Sequence, residues 1–418
     1  MTITFLAGGT RGDVLPYLAL GLGLREAGSN VRIAAPIGFK FLIEPTGLTF
    51  APFDGNPSDL LIQQSDPLTI GRSLCSSIQA TRKFIHRARG LYPRMLQTAA
   101  EACRGSTVIV CGLSTLWGAH IAEYLQVPTL RAVLQPLTPT REFSSVLLPF
   151  RFNLLGIGNR LSHWIMLQAI WLSFHPEINH TRRTHFGLPR APWLDPALRP
   201  FSDQPITLHG FSEHIIPRPK DWNEKQIITG YWRSPSPQWT PPKELVQFIE
   251  RSPRNTVAIG LGSPGTKDFP HVLRIIEQAL IQADARAVLT IPSFYHMHIK
   301  SERIFPIEYT PHEWLYQHVR VAVHHGGAGT TAAGLHAGIP TVTLPQGIDQ
   351  FFWGERVYKI GVGTQPIPQR TLNAKKLASA LREALWNESM QERAKRLSVA
   401  LNLENGIRAA VRVMRQVM

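Results

Sequence analysis

Residues 320–363, RVAVHHGGAGTTAAGLHAGIPTVTLPQGIDQFFWGERVYKIGVG, decide the fold of this chain. The mostly apolar run from Val319 to Val323 predicts a buried strand, and the glycine-rich turn after it predicts the start of a helix. Thr330 and Thr331 are suited to capping that helix. A second strand, from Thr341 to Leu344, follows and completes a βαβ unit.

This unit has the chemistry of an anion site. A helix that begins directly after a strand points its free N–H groups and the positive end of its dipole at a phosphate. We expect His325 at the junction as a second donor, and Asp349 and Gln350 after the next strand as a carboxylate and an amide for vicinal hydroxyl groups. The alternative is an ordinary packing turn that binds no ligand.

The motifs of this stretch resemble those of the nucleotide-sugar-dependent glycosyltransferases of family 1. They are His-Gly-Gly-Ala-Gly-Thr at 325–330, Gly-Ile-Pro at 338–340 and Asp-Gln at 349–350. Other segments, among them GTRGDVLPYLALGLGL and HIAEYLQVP, are most similar to the sterol 3-β-glucosyltransferases and their bacterial homologues. The resemblance implies an α/β chain of the GT-B fold. In that fold two Rossmann-like, doubly wound domains face each other across a crevice, and a C-terminal helix returns to the N-terminal domain.

The same resemblance implies a set of donor-binding residues. His325 would bind the α-phosphate, the amides of residues 327–330 the β-phosphate, and Tyr309 would stack on the base. Plant members place a ribose-binding Glu where this chain has Ala333. The resemblance also implies a UDP-sugar as co-substrate. Because these donors stabilise the departing diphosphate, we expect no metal and no cofactor. The full donor set is Gly262, Ser263, Tyr309, His325, Gly326, Gly327, Ala328, Gly329, Thr330, Asp349 and Gln350.

The glycine-rich loop from Gly8 to Asp13 ends the first predicted strand of the chain. Its Arg-Gly-Asp sequence resembles that of bacterial glycopeptide and fungal sterol relatives, which implies that Asp13 is the general base of an inverting displacement. A carboxylate with a pKa near 3.9 is a weak base, but it need only accept the proton late in the reaction. The alternative role for Asp13 is that of a helix N-cap.

The acceptor is predicted to be a large apolar alcohol such as a sterol. The segment from Phe143 to Trp171 is rich in apolar and aromatic side chains, which suits an acceptor pocket, an interfacial helix or an ordinary core helix. Polyketide, carotenoid and hydroxy fatty acid aglycones are alternative acceptors. A non-catalytic partner protein should have a damaged donor loop, and an epimerase should have a second acid–base group beside Asp13. The predicted acceptor-binding residues are Thr10, Arg11, Gly12, His120, Phe143, Phe150 and Trp164.

Length and composition favour two globular domains. The chain has 418 residues, of which 44% are hydrophobic and 17% charged. We expect an acceptor-binding domain over 1–231, a proline-rich linker over 232–242, a nucleotide-sugar-binding domain over 243–403 and a returning helix over 404–418. The section from 144 to 188 breaks the strand–helix alternation and is predicted to be less regular.

Cysteine use and charge bear on the surroundings of the protein. Three cysteines without a CxxC pair, a short first strand in place of a signal peptide and no long apolar run favour a cytoplasmic, at most peripheral, catalytic core. The 44 Lys and Arg outnumber the 29 Asp and Glu, with the excess concentrated in 72–104 and 141–190. We interpret these stretches as approaching an anionic membrane surface rather than nucleic acid. A basic, solvated face is the alternative.

Overall fold

The structure is a computed structural model. It describes residues 1–56, 74–148, 153–194, 205–233, 239–262, 269–347 and 349–417, with side chains from residue 86 onward in the helix that begins at Leu74. These residues form two compact units. The first contains the described residues up to 56, from 77 to 233 and from 404 to 417, and the second contains those from 239 to 403.

The first unit is built on a parallel sheet of seven described strands in the order β3-β2-β1-β4-β5-β6-β7. Strand β4 is buried along its whole length, as expected for a parallel strand covered on both faces. Ile3 of β1 pairs with Val31 of β2 on one side and with Val108 of β4 on the other. The strands are β1 (Thr2–Leu6), β2 (Asn30–Pro36), β3 (Thr49–Phe53), β4 (Val108–Cys111), β5 (Thr129–Val133), β6 (Thr207–His209) and β7 (Gln226–Ile228).

Helices connect these strands. The long helix α5 is kinked at its second residue, Gly156, where φ is 38°. The prediction of a less regular section over 144–188 was wrong for residues 155–184, which form α5. Apolar residues lie on both faces of this helix, so its sequence lacks the amphipathic period that indicates a helix. The helices are α1 (Arg11–Glu26), α2 (Lys40–Ile43), α3 (Leu74–Ala102), α4 (Gly118–Leu125) and α5 (Leu155–Thr184).

The second unit repeats this plan with five described parallel strands in the order β10-β9-β8-β11-β12. His324, at the end of β11, pairs with Gly260 of β8 and with Thr343 of β12. The strands are β8 (Thr256–Gly260), β9 (Arg286–Thr290), β10 (Ile304–Ile307), β11 (Val321–His324) and β12 (Thr341–Thr343). The helices are α6 (Lys243–Glu250), α7 (Phe269–Gln282), α8 (His312–His318), α9 (Ala328–Ala337), α10 (Gln350–Lys359), α11 (Ala374–Trp386) and α12 (Glu388–Leu403).

The C-terminal helix α13 (Gly406–Val417) belongs to the first unit, although it follows the second in sequence. It packs on α1, where the absent side chain of Gly23 makes room for Ile407. Glu404, just before α13, accepts a hydrogen bond of 2.7 Å from the hydroxyl of Ser212. The return of the chain to the N-terminal domain, which the resemblance implied, is therefore present.

Both strand orders reverse direction beside the first strand of the unit, between β1 and β4 and between β8 and β11. In doubly wound folds this switch point is where loops at the carboxyl ends of the strands part and admit a ligand. The Asp13 loop follows β1, and the His325 loop follows β11. Each unit thus presents one predicted functional loop at its own switch point.

Candidate functional site

The His325 loop is a tight turn between β11 and α9. Gly326 has a φ of 89°, a left-handed conformation that glycine adopts without strain. Gly327 is the N-cap of α9 and, because it has no side chain, provides no capping hydrogen bond. The predicted capping by Thr330 and Thr331 was therefore wrong, because both residues lie inside the first turn.

The first turn of α9 leaves backbone donors free within the helix. The first N–H to bond back along the chain is that of Thr331, which donates to the carbonyl oxygen of Gly327 at 2.9 Å. The N–H groups of Ala328, Gly329 and Thr330 precede this bond and have no helical acceptor. An uncapped helix start of this kind is suited to an anionic ligand.

The ring of His325 lies between two glycines. A Cβ on Gly262 would lie 3.2 Å from Nδ1 of His325, and a Cβ on Gly327 would lie 2.5 Å from its Nε2. Any side chain at Gly327 would therefore displace the ring. Nδ1 is buried and makes no hydrogen bond within the described part of the chain.

Burial, with a contribution from nearby His312, lowers the pKa of His325 to about 4. The imidazole is therefore neutral at pH 7 in the unliganded protein. In this neutral form it can donate one hydrogen bond to a phosphate oxygen and carries no positive charge. Charge stabilisation at this loop comes from the α9 amides and the helix dipole.

The Asp349–Gln350 turn contacts the His325 loop. A Cβ on Gly326 would lie 2.9 Å from the carbonyl oxygen of Gln350, so the two backbones approach closely. Oε1 of Gln350 accepts a 2.8 Å bond from the N–H of Gln346, and Oδ2 of Asp349 accepts a 3.3 Å bond from Nε1 of Trp353. Folding thus brings together the two motifs that the sequence separates by more than twenty positions.

The remaining predicted donor residues lie at the same edge of the second sheet or outside the described residues. Tyr309 follows β10 and is 40% exposed. Ser263 lies outside the described residues. Ala333 is buried in the core with Leu315 and Tyr316, so a ribose contact has to come from another residue.

Asp13 occupies the third position of α1, not its N-cap. Thr10 is the N-cap, and its N–H and its hydroxyl both donate to Oδ2 of Asp13, at 2.7 and 2.8 Å. This is the backward half of a capping box. Asp13 is therefore not the N-cap but the N3 member of the capping box. This structural role is compatible with a role as general base.

The Asp13 carboxyl lies in a crowded loop. A Cβ on Gly9, whose φ is 109°, would lie 2.5 Å from Oδ2 of Asp13. The side chain keeps partial contact with solvent, yet burial of its carboxyl raises the pKa of Asp13, against the opposing effect of the hydrogen bonds from Thr10. A raised pKa makes the carboxylate a stronger base than an ordinary aspartate.

Two residues that the sequence did not indicate hold this loop in place. Asn56, after β3, accepts from the N–H of Gly9 at 3.3 Å and donates to its carbonyl oxygen at 2.9 Å. The hydroxyl of Ser114, after β4, donates to the carbonyl oxygen of Gly8 at 2.6 Å. The available signal for Asn56 was the Asp-Gly-Asn turn that follows a mostly apolar run, but the β3 strand itself was not predicted.

The predicted acceptor residues do not form one described cluster. Thr10, Arg11 and Gly12 lie exposed at the start of α1 beside Asp13. Phe143 packs against His163, at 5.9 Å between ring centroids. Phe150 lies outside the described residues.

His120 and Trp164 have different surroundings. His120 is buried on α4, and its Nδ1 accepts from Arg182, which also forms a two-point ion pair with Glu123. Burial lowers the pKa of His120 to about 4. Trp164 lies on the exposed face of α5, with the guanidinium of Arg160 5.6 Å from its ring centroid.

A cavity of about 240 Å³ adjoins the Asp13 loop, lined by residues 36–39 and 53–56 at the carboxyl ends of β2 and β3. Asn56 belongs to both the cavity wall and the contact with Gly9. Among the described residues no group of three or more His, Cys, Asp or Glu side chains is arranged to hold a metal ion.

Two family matches cover most of the chain. The Glycosyltransferase family 28 N-terminal domain matches residues 3–144, and the Erythromycin biosynthesis protein CIII-like C-terminal domain matches residues 274–403. Sterol 3-beta-glucosyltransferases of Neurospora crassa and Emericella nidulans are each 34% identical to the chain over 99% of its length. The chain belongs to the glycosyltransferases. It spans 27% and 30% of the length of these two relatives.

Solved glycosyltransferases share the fold of this family member. The spinosyn rhamnosyltransferase SpnG is 17% identical, with a TM-score of 0.70 over 99% of this chain and 100% of that one. CalG4, the calicheamicin glycosyltransferase, is 16% identical, with a TM-score of 0.69 over 99% of this chain and 97% of that one. The predicted GT-B fold class is confirmed.

Proposed function

We propose that this glycosyltransferase moves a hexose from a UDP-sugar to the hydroxyl group of a sterol or another large apolar alcohol, with inversion at the anomeric carbon. The observation that carries the proposal is the His325 loop. There a neutral imidazole, held between two glycines, adjoins the uncapped N–H groups of α9 and the Asp349–Gln350 turn.

Donor binding follows from these groups. The N–H groups of residues 328–330 and the dipole of α9 would hold the diphosphate, and His325 would donate one further hydrogen bond. As the bond to the anomeric carbon breaks, negative charge grows on the leaving phosphate oxygen. Fixed N–H donors stabilise that charge without having to reorganise.

The sugar would be held by the Asp349–Gln350 turn. The amide oxygen of Gln350 already accepts from Gln346, so it sets the shape of the turn. Asp349 accepts a hydrogen bond from Trp353, and an ionised carboxylate can accept several hydrogen bonds at once. Hydroxyl groups of a hexose are suitable donors to this carboxylate.

Acceptor activation is assigned to Asp13. The alcohol proton would pass to the Asp13 carboxylate as the alcohol oxygen bonds to the anomeric carbon and the UDP oxygen leaves. Burial raises the pKa of this carboxyl, which increases its basicity, and the two bonds from Thr10 fix its orientation. A single displacement of this kind inverts the anomeric centre.

The apolar acceptor is supported by the names of the relatives and by the cavity beside the Asp13 loop. The relatives that align with the whole chain are named sterol 3-beta-glucosyltransferases. The cavity is partly apolar, with Ile37, Phe39 and Phe53 in its wall. These apolar side chains can pack against part of a fused-ring alcohol.

The test is a matrix of donors and acceptors. Purified protein is incubated with UDP-glucose, UDP-galactose or TDP-glucose and with cholesterol, ergosterol, a carotenoid diol or a hydroxy fatty acid, and the products are identified by mass spectrometry. A hexosyl sterol formed from a UDP-sugar, with inverted configuration by NMR, supports the proposal. Transfer only from TDP-glucose would show that the donor is not a UDP-sugar. Transfer only to a non-steroid aglycone would show that the acceptor is not a sterol.

A further inference from the structure

The exposed face of α5 is the largest concentration of solvent-facing apolar side chains in the described part of the first unit. Among its members Leu155 and Ile157 are each 74% exposed. Positions 157, 161, 164, 165, 168 and 172 follow helical spacing and therefore share one side of the helix. We call the apolar residues of this face, together with two exposed leucines before the kink at Gly156, the α5 stripe; they are Ile157, Leu161, Trp164, Ile165 and Leu172, with Leu154 and Leu155.

Hydrogen bonds to the side chains of two asparagines fix the turn at the start of the stripe. Leu155 has a φ of 56°, a left-handed conformation that is costly for a leucine. Oδ1 of Asn153 accepts from the N–H of Leu155 at 3.0 Å, and Oδ1 of Asn159 accepts from the N–H of Leu154 at 2.9 Å. These bonds keep two leucines turned toward solvent, where neither contributes to the core.

Charge around the stripe is positive. Arg160 lies over the ring of Trp164, and His180 and Arg183 are exposed nearer the end of the same helix. The sole acidic residue between 153 and 184 is Glu177, which pairs with Arg89 at 3.6 Å. An apolar face with cations at its margins complements an anionic bilayer, in which phosphates lie directly above hydrocarbon.

The basic stretch at 72–104 offers less free charge than its composition suggests. In its described side chains three arginines are already paired, which weakens their attraction for a lipid surface. The pairs are Arg89 with Glu177 at 3.6 Å, Arg94 with Asp54 at 2.6 Å and Arg104 with Glu101 at 2.8 Å.

We propose that the α5 stripe is a membrane-docking surface that lies in the interface of an anionic bilayer, with its leucines and isoleucines among the acyl chains and Trp164 and Arg160 at the headgroups. None of the described helices has the length and hydropathy to cross a bilayer, so the contact is a helix lying in the plane of the surface. A second copy of the chain is a poorer occupant, because two such faces would oppose cation to cation in a protein with a net charge of +15. The inference rests on the proposed function in one respect: docking would give the enzyme access to a water-insoluble alcohol in the membrane.

The experiment is flotation of the full chain with phosphatidylcholine vesicles, with and without phosphatidylglycerol, at low and high salt. The main variant carries Leu155→Gln, Ile157→Gln, Leu161→Gln and Ile165→Gln. A matched control carries Ile281→Gln and Leu403→Gln, which replace equally apolar residues of the second unit that are 61% and 83% exposed. No donor or acceptor is added, so the result does not depend on catalysis.

We expect the parent and the control to bind anionic vesicles. The affinity of the stripe variant should be lower by about 10-fold or more at both salt concentrations. Leu155→Gly is a second variant that should not impair folding, because glycine adopts the left-handed backbone of this position without strain. It should keep or raise the melting temperature and still lower vesicle binding.

Three results would overturn the proposal. They are absence of parent binding to anionic vesicles, equal binding by the stripe variant and its control, and a parent dimer in sedimentation velocity that the stripe variant converts to monomer. Glycosyl transfer to a short, water-soluble alcohol is measured in parallel. If the parent does not catalyse this transfer, the result counts against the proposed function. If the stripe variant retains the transfer activity of the parent, only docking is impaired.

Discussion

Asn56 encloses the peptide of Gly9, since its side-chain oxygen accepts from the Gly9 N–H at 3.3 Å and its side-chain nitrogen donates to the Gly9 carbonyl oxygen at 2.9 Å. Gly9 in turn lies against the carboxylate of Asp13. A buried amide that follows β3 therefore fixes a loop that follows β1. Asn56 thus acts, from a distant part of the sequence, on the loop that positions the Asp13 carboxyl group.

Asn56→Ala should lower the turnover number about 10-fold by loosening this loop, because positioning of a catalytic group contributes to the rate in that range or above it. UDP binding in calorimetry should be unchanged, since the donor loop lies in the other unit. Thr98→Ala is the control. It removes a hydrogen bond to the neighbouring Asp54 backbone and leaves Gly9 untouched. Equal losses in the two variants would mean that Asn56 contributes stability alone.

Asp13→Asn should lower turnover by about 100-fold or more, because the amide cannot accept the acceptor proton. The asparagine oxygen can still accept from Thr10, so the melting temperature and UDP affinity should hardly change. Near-normal turnover with a saturating alcohol would show that Asp13 serves only the capping box. His120 is then a poor replacement base, because it is buried and already accepts from Arg182.

The pH dependence of kcat/KM is a second test of Asp13 as the general base. A general base works when it is deprotonated, so kcat/KM should rise as pH increases through the pKa of this group. Because burial raises that pKa, the rise should be centred above 3.8. Stopped assays across the acid range measure it, and Asp13→Asn should lose the rise. A rise that persists in the variant would belong to another group.

Gly327→Ala should weaken UDP binding, because its Cβ would lie 2.5 Å from Nε2 of His325 and displace the ring. His325→Ala should weaken it by about 1 to 3 kcal/mol, the range for losing a hydrogen bond to a charged group. Gly329→Ala is the comparison, since its Cβ would meet nothing within 4 Å, and its effect should be smaller. Calorimetry with UDP distinguishes the three. If His325→Ala binds UDP as the parent does, His325 is not a donor contact.

Asp349→Ala should impair turnover with a UDP-hexose and leave UDP affinity nearly intact, since the carboxylate is assigned to the sugar and not to the phosphates. Trp353→Phe is a useful partner variant, because it removes the 3.3 Å bond to Asp349 and retains the ring in the core. It should have a smaller effect on turnover than Asp349→Ala. Parallel loss of UDP binding, turnover and the folded circular dichroism signal would make the Asp349–Gln350 turn structural.

Truncation after Leu403 should destabilise the first unit, because it removes α13 from α1. The buried residues Ala410 and Met414 and the contact of Ile407 with Gly23 would be lost, and exposed apolar surface would replace them. Thermal unfolding and activity are the measurements. A truncated protein with full stability and activity would contradict the packing of α13 on α1.

The sequence by itself determined the elements whose signal is local. Strands β11 and β12 lie at the runs predicted over 319–323 and 341–344, because a short, mostly apolar run bounded by turns has few other ways to fold. The glycines of the His325 loop and the family motifs likewise led to the prediction of a donor site there. The apolar content of 144–188 was visible too, but not its helical form.

Only the tertiary structure decided which side chains meet across the sheets and what burial does to their chemistry. Asn56 with Gly9 and Gln346 with Leu261 are contacts between loops far apart in sequence, and no local pattern encodes them. The low pKa of His325 and the raised pKa of Asp13 arise from desolvation by neighbours that folding supplies. The outward side of α5 could not be read from its sequence either, because apolar residues occur on both of its faces and only packing shows which face is covered.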